Sequence, residues 1–569
     1  MSDQKTGMRK GLAQYGDAAF SLFLRKAFIK AMGYSDDALS RPIIGITNTY
    51  SAFNACHRNV PDLIDAIKRG VMLAGGMPLE FPIISMHESF SHPTSMFLRN
   101  LMSIDAEEMI RAQPMDAVVL IGGCDKTVPA LLMGAASADV PAILTVTGPM
   151  ITGSHKGERL GACTDCRRLW GQHRAGAIDG DEIEVISGKL APGPGTCMVM
   201  GTASTMALCA EALGMMLPGG AAIPAVDADR LRHAEATGAR AVALAAEKLR
   251  PADIMTPGAF GNALRVLQAI GGSTNAVIHL VAMAGRLGIE LDMAGFDRMG
   301  QETPVLVDLK PSGQHYMEDL HRAGGLATVL REIRDQVDLD CVTVSGRTLG
   351  AELERAPAAW DQAVVRPASD PIHAGGGLRV LAGSLAPNGA LIKQAAATPA
   401  LMQHEGRAVV FGSLEDMAER LDSDDLDVAA DDVLVLQNAG PKGAPGMPEA
   451  GYIPIPRKLA AAGVKDMVRI SDARMSGTAF GTIVLHISPE AAEGGPLALV
   501  QDGDRIRLDV AGGRIDLLVD EVELGRRRAR WTAPAATPKR GYAKLYFDEV
   551  LQAEHGCDFN FLRAEPLER

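Results

Sequence analysis

The sequence predicts two domains of different type, an N-terminal α/β domain built on a doubly wound parallel sheet and a C-terminal β-barrel domain. Three observations carry this. The chain has 569 residues, more than one hydrophobic core usually supports. Over roughly the first quarter, short apolar runs rich in β-branched residues alternate with helical patterns, as βαβ units require. Beyond Gly375-Gly376-Gly377 the pattern changes to many short strands separated by turns, as in barrels and sandwiches. The division is placed between residues 1–370 and 371–569.

Each element has its own signal. Phe20, Leu22, Phe23, Phe28 and Ile29 recur at roughly helical spacing and mark an N-terminal arm or helix. Pro42–Thr47 reads as the first buried strand, followed by the polar loop Asn48–His57 and a helix from near Pro61 to Gly75-Gly76. Phe81–Ser85 reads as a strand leading into Met86-His87-Glu88-Ser89, and Ala142–Val146 as another. Between them Asp116–Ile121 is a strand and Pro129–Ala135 a helix. The octapeptide Gly122-Gly123-Cys124-Asp125-Lys126-Thr127-Val128-Pro129 is therefore a strand-to-helix turn. Such turns line the crevice at the carboxyl ends of parallel strands, where ligands bind, and the free N–H groups of the following helix favour anions there.

Ser187–Cys197 is a Gly/Pro loop before a helix from about Gly201 to Met216. Ala234–Lys248 and Phe260–Leu287, the latter broken at Gly271–Asn275, read as packing helices. Pro357, Pro367 and Pro371 mark an interdomain stretch from Cys341 to Gly377. The strand series then runs Leu378–Leu381, Ala390–Ile392, Arg407–Phe411, Val433–Gln437, Met467–Ile470, Ile483–Ile487, Arg505–Val510 and Ile515–Val519. Ala511-Gly512-Gly513 joins the last two as a hairpin.

Composition bounds the function. With 47% hydrophobic and 22% charged residues the protein is an ordinary globular one. Its 4% aromatic content and formal charge of -13 argue against nucleic acid as a partner. The basic run Arg526-Arg527-Arg528-Ala529-Arg530 stands alone and reads as a solvated or subunit-contacting face. Met1–Lys5 opens no apolar signal segment, so a cytoplasmic protein is expected. Met198–Met216, interrupted by Ser204, Thr205 and Glu211, reads as a buried amphipathic helix rather than a membrane span. Eight cysteines are too few for a disulfide scaffold in a chain this long. Any that cluster point to metal binding or catalysis.

Cys163-Thr164-Asp165-Cys166 is the one C-x-x-C, but it stands without a second pair and is set aside. Cys56, Cys124 and Cys197 instead share a structural position, each in a loop at a helix entrance on one edge of the sheet. Three converging thiolates suit an iron-sulfur cluster with one iron left open for Lewis-acid chemistry. Cys209, Cys341 and Cys557 read as small buried hydrophobes. Glu88 and Asp125 lie at strand ends and Glu449 in the Gly/Pro loop Asn438–Glu449, and such carboxylates suit Mg²⁺. Their competing reading is a set of solvated surface acids. Arg469–Gly481 lacks the G-x-S-x-G elbow; its small hydroxyls suit either binding of a substrate carboxylate or a base whose alkoxide nearby cations stabilise.

Gly123-Cys124-Asp125-Lys126-Thr127, Gly195-Thr196-Cys197, Gly271–Asn275, Gly440-Pro441-Lys442-Gly443, Pro445-Gly446-Met447, Ser476-Gly477-Thr478 and His486–Ala491 together resemble the dihydroxy-acid and sugar-acid dehydratase family, from about Pro42 to beyond Gly503. The resemblance implies a cluster- and Mg²⁺-holding α/β domain capped by a β-barrel, in homodimers or homotetramers, with no nucleic acid and no membrane partner. It implies Cys56, Cys124 and Cys197 as cluster ligands, with 2Fe-2S favoured over 4Fe-4S, and Glu88, Asp125, Lys126 and Glu449 as the Mg²⁺ shell, with Lys126 carboxylated. Ser476 matches the base, and Thr478 a contact to the substrate carboxylate. The implied reaction is loss of water from a 2,3-dihydroxy acid to give a 2-keto acid. Met86–Ser89 and Gly195–Met206 resemble the aldonate branch, which includes L-arabinonate and D-xylonate dehydratases. The alternative substrate is 2,3-dihydroxyisovalerate, of branched-chain amino-acid synthesis, and the alternative class is an iron-sulfur redox or sensor protein using Cys163 and Cys166. No additional Arg/Lys cluster is placed to receive a phosphate, so an unphosphorylated acid is expected.

Overall fold

The computed structural model describes residues 6–534 and 538–566. Its first sheet is parallel, with β1 (Ile43–Asn48), β2 (Met77–Pro82), β3 (Ala117–Gly122) and β4 (Ala142–Val146) in the order β2-β1-β3-β4. Every residue of β3 and β4 is buried, as expected where helices cover both faces of a parallel sheet. The N-terminal helix expected from the phenylalanine spacing is α1 (Ala18–Ala31). Helix α2 (Val60–Leu73) follows β1, α3 (Ser95–Ala112) follows β2, and α4 (Thr127–Ala138) follows β3.

The second strand falls earlier than its apolar run suggests. Residues 83–85 lie outside it, and pairing with β1 runs from Ile43↔Met77 to Asn48↔Pro82. The Gly75-Gly76 turn that ends α2 is tight enough for Met77 N to donate to Pro42 O at 2.8 Å, so the strand starts at once. Pro78 and Pro82 are tolerated because β2 is the sheet edge.

After a small hairpin of β5 (Gly153–His155) and β6 (Glu158–Leu160) come α5 (Thr164–Arg174), α6 (Gly180–Leu190), α7 (Thr202–Ala212) and α8 (Ala228–Glu247). Helix α7 corrects the expectation of an amphipathic helix, for all of its residues are buried. It is the central rod of the domain, enclosed by α4 and by the helices Pro257–Ala269 and Thr274–Gly285. Helices α2 and α8 cross in near backbone contact. A Cβ at Gly70 would stand 1.9 Å from Glu235 O, and one at Gly238 would stand 2.2 Å from Ile67 O, so both positions exclude any side chain. The proline-marked stretch 341–377 is more than a linker. It contains a helix, Leu349–Arg355, and bridges back to the first half through Val305↔His373 and Val307↔Val365.

The second sheet has eight strands: β7 (Arg379–Leu381), β8 (Gly389–Ile392), β9 (Gln403–Phe411), β10 (Val433–Leu436), β11 (Val468–Ser471), β12 (Ile483–Ser488), β13 (Arg505–Asp509) and β14 (Arg514–Leu517). Their order is β14-β13-β9-β10-β11-β12-β8-β7, and an Ala382↔Arg514 bridge brings the two edges together into a nearly closed barrel. The four central strands are parallel and only the flanks are antiparallel. Alternation then divides two cores: Val433 and Val435 point into the barrel, Leu434 and Leu436 outward beneath covering segments. The expected hairpin is present, with Gly513 at φ +65 between β13 and β14.

The C-terminal segment ties the barrel to the first half. Arg99, on α3 and fully buried, donates to Gly556 O and Cys557 O at 2.8 and 2.9 Å, and Arg286 forms a buried ion pair with Asp558. Within the basic run, Arg527 pairs with Asp504 and Glu523, so part of that run is a structural tie. Among the described residues no helix is long and apolar enough to cross a membrane.

Candidate metal and thiol site

The β3–α4 turn is built for close approach. A Cβ at Gly123 would lie 2.1 Å from Thr147 Oγ1, so glycine alone fits between the turn and the loop after β4. Thr127 Oγ1 accepts from Gly123 N and donates to Cys124 O, both at 3.0 Å. His57, buried and pushed down to about 4 by desolvation, is neutral. Its Nδ1 lies 2.9 Å from Thr49 O, and its Nε2 accepts from Cys124 N at 3.1 Å. One imidazole thus fixes the loop after β1 to the loop after β3, and with them Cys56 and Cys124.

Three carboxylates meet beside this turn. Glu88, Asp125 and Glu449 each offer an oxygen within 4.8 Å of the others, a spacing that suits one metal ion. Arg474, fully buried, donates to Glu88 at 2.8 Å and to Glu449 at 2.7 Å. Lys126, also fully buried, contacts Asp125 and lies 3.5 Å from Glu88. Burial alone would raise Glu88, but Arg474 and Lys126 outweigh it and hold the carboxyl at about 2. Glu449 is shifted the other way, by burial and by the charge of Glu88. A half-buried group of acids at this separation is stable only with cations close by. The two side-chain cations meet that need here, and an oxygen-seeking divalent ion could do the same.

Cys56 and Cys124 are both buried and hydrogen-bonded to each other. The bond from Cys124, together with His87, brings Cys56 down to about 6, while Cys124 is pushed up and keeps the shared proton. Cys124 Sγ also donates to Asp125 Oδ1 at 3.3 Å, so the thiols and the acids adjoin. Cys197 stands on the neighbouring loop, where Gly195 N donates to Ala55 O and Thr196 N to Gly148 O. Its sulfur lies 3.2 Å from that of Cys163, so the C-x-x-C set aside in the sequence sits against it.

The hydroxyl loop closes the site from the barrel side. Ser476 Oγ and Thr478 Oγ1 are 2.7 Å apart, and Arg167 donates to Thr478 Oγ1 at 2.9 Å. Lys393 Nζ, buried and lowered to about 7 by desolvation, donates to Gly477 O at 3.0 Å. Asn275 donates to Met475 O, and a Cβ at Gly477 would stand 2.6 Å from that of Ser273. The Gly271–Asn275 motif is thereby the seat on which the loop rests. In the Gly440–Gly443 motif, Lys442 N and Gly443 N donate to the carboxylate of Glu490 at 2.9–3.1 Å.

Residues 41–352 match the dihydroxy-acid/6-phosphogluconate dehydratase N-terminal family, and residues 363–557 match its C-terminal counterpart. The chain belongs to this dehydratase family. It is 49% identical over 551 residues to an L-arabonate dehydratase of Azospirillum brasilense, spanning 95% of this chain and 94% of that one. To an L-arabinonate dehydratase of Rhizobium leguminosarum bv. trifolii it is 46% identical, over 96% of this chain and 95% of that one. Identity to a dihydroxy-acid dehydratase of Pyrococcus abyssi is 40%, over 94% and 97%.

The site also contains residues that the dehydratase motifs do not announce. Arg474 joins acids from both halves of the chain, Arg167 and Lys393 brace the hydroxyl loop, and His57 and His87 adjoin the thiols. His57, next to Cys56, His87, next to Glu88, Arg167, next to Cys166, and Arg474, two residues before Ser476, carried one signal in sequence, proximity to a motif, and Lys393 carried none.

Proposed function

We propose that this dehydratase acts on an unphosphorylated sugar acid such as L-arabinonate or D-xylonate and releases the 2-keto-3-deoxy acid. The observation that carries the reading is the meeting, around the strand-to-helix turn that bears Cys124 and Asp125, of a buried thiol pair and a three-carboxylate group completed from neighbouring loops, with a paired Ser476–Thr478 on the barrel side. High identity to two aldonate dehydratases over nearly the whole chain supports the substrate class. The work is divided between residues 1–370, which carry the thiols and most of the acids, and 371–569, which supply Glu449 and the Ser476 loop. The active form is a cytoplasmic homodimer or homotetramer without nucleic-acid or membrane partners.

The donor set fits the groups that the family implies. Cys56, Cys124 and Cys197 would hold an iron-sulfur cluster, 2Fe-2S in this reading, and Glu88, Asp125 and Glu449 a Mg²⁺ ion. Lys126 enters that shell as a carbamate, because only carboxylation turns its amine into an anionic oxygen ligand. When bound, the two groups supply Lewis acidity toward the substrate carboxylate and toward the departing hydroxyl. The rest falls to the chain. Ser476 removes the C2 proton. Thr478, with Arg167 behind it, faces the substrate carboxylate and holds Ser476 in place. Loss of the C2 proton and the C3 hydroxyl leaves an enol that tautomerises to the keto acid, with no net redox change.

Ser476→Ala removes one oxygen and little volume. It should keep the fold and iron content while turnover falls about 10²–10⁴-fold, the usual range for a lost general base. Parallel assays on L-arabinonate, D-xylonate and 2,3-dihydroxyisovalerate test the substrate. Dominance of the branched acid would overturn the sugar-acid reading, and near-normal turnover by the variant would remove Ser476 from the mechanism.

A further inference from the structure

Three thiols lie in contact, and two of them, Cys163 and Cys166, stand outside the chemistry just described. Cys163 Sγ is 3.2 Å from Cys197 Sγ, and Cys163 N donates to Cys166 Sγ at 3.0 Å. Cys163 and Cys166 also share a side-chain hydrogen bond, so Cys163 stands between two sulfurs. It occupies the N-cap of α5 with φ +76, a region that residues other than glycine rarely adopt, and Arg167 Nη1 holds its carbonyl at 3.0 Å. All three thiols are partly accessible, whereas Cys56 and Cys124 are buried. Cys166 further lines an open cavity of ≈ 280 Å³ with Leu169, Trp170, Ile183, Ser187 and Leu190. That cavity gives a small reagent access to Cys166, from which Cys163 leads inward to Cys197.

We propose that Cys163 and Cys197 form a reversible disulfide in the cluster-free protein, written by a small disulfide that enters at Cys166. The hydrogen bond from Cys163 and burial push the Cys166 thiol up, so loss of its proton to solvent limits the rate; the thiolate then attacks the reagent RSSR, forming a mixed disulfide and releasing one RS⁻. Cys163 displaces the second RS⁻ and forms the Cys163–Cys166 bond. Cys197 then attacks the sulfur of Cys163, and Cys166 leaves as a free thiol. In sum two protein thiols lose two protons and two electrons, and RSSR takes both as two RSH. The disulfide stands on the contact between the thiols; that it excludes the cluster rests on the reading of Cys197 as a ligand. It would keep a ligand sulfur from irreversible oxidation during cluster loss and return it on reduction.

The test uses the full chain, with and without cluster, treated with oxidised glutathione and mapped by differential alkylation and peptide mass spectrometry. The cluster-free form should yield a Cys163–Cys197 disulfide, reversed by dithiothreitol. Cys163→Ser should abolish it. Cys166→Ser should slow it about tenfold or more, because attack then falls to less accessible sulfurs, while giving the same end product. Oxidised protein should take up no iron until reduced, read from iron content and visible absorbance. The proposal is overturned if the end product is a Cys163–Cys166 or Cys56–Cys124 bond or a stable glutathione adduct, or if Cys163→Ser loses thiols as the parent does while circular dichroism shows both folded. If the Cys163–Cys197 bond forms equally with the cluster present, the disulfide stands and Cys197 falls as a ligand.

Discussion

Two groups of acids in this protein, one buried (Asp472 and Glu490) and one half-buried (Glu88, Asp125 and Glu449), are neutralised in opposite ways. Asp472 accepts from the backbone N–H groups of Ala439 and Ala491, both at 2.9 Å. Glu490 accepts from Lys442 N, Gly443 N and the Gln552 amide. All but the Gln552 amide are backbone N–H groups, which cannot leave the folded chain. Glu88 and Glu449 are held instead by Arg474, and Glu88 and Asp125 by Lys126, which are side-chain cations and not backbone groups. Acids satisfied by the backbone shape the Gly440–Gly443 loop, and acids satisfied by side-chain cations can exchange those cations for an ion. The donor on the other side separates the two groups.

The largest expected effect comes from removing the cation of the exchangeable group. Arg474→Ala leaves Glu88 and Glu449 facing each other, and breaking such a buried pair costs about 3–5 kcal/mol. Denaturant unfolding of metal-free protein checks the loss, and added Mg²⁺ should restore more stability to the variant than to the parent. An unchanged midpoint would show that the acids do not depend on Arg474.

Next is the response to the ion itself. At a Mg²⁺ concentration of about 100 Kd, a site present only in the folded state adds about 2.7 kcal/mol. Glu449→Gln should lose this increment and Glu490→Gln should keep it, both followed by thermal unfolding with and without Mg²⁺. Loss in both variants would erase the distinction between the two groups.

A third effect is on pH dependence, and its sign differs between the groups. Burial raises Glu490 to about 7 from an ordinary 4.5, and Asp472 to about 6 from 3.8. In that window the folded state binds more protons than the unfolded, so their contribution is best below pH 4 and is lost as pH rises to about 7. Glu88, lowered to about 2, contributes stability above pH 4.5 that is lost as pH falls toward 2. Glu490→Gln should therefore flatten the decline of metal-free stability between about pH 4.5 and 7, measured by urea titration at fixed pH values. A decline as steep as the parent's would mean that Glu490 does not titrate in that range.

Much of this was legible in the sequence, for local reasons. The β-branched runs at Ile43–Asn48 and Ala117–Gly122 announce buried strands, and Gly122-Gly123 announces a turn with no room for side chains. The start of β2 was misread because a two-glycine turn let pairing begin before the most apolar stretch. Strand spacing revealed a barrel but not that its centre is parallel, since direction is set by the crossovers between strands. In the site, motifs supplied Glu88, Asp125 and Glu449, whereas Arg474 gains its role only when the barrel is laid on the parallel-sheet half. Cys163 was passed over because its neighbour, Cys197, is distant in sequence and near only in the fold.

The acids come from both halves of the chain, Glu88 and Asp125 from the parallel-sheet half and Glu449 from the barrel half, and Arg474 reaches across the seam. A cation that draws the three carboxylates together must therefore also draw the halves together. Affinity for the ion and cohesion of the two halves are one coupling free energy seen from either side, and each must change when the other does. The ion would act as a rivet: whatever loosens the seam weakens its hold, and its removal leaves the seam to direct ties such as those of Arg474, Arg99 and Arg167 and the aromatic packing around Tyr546.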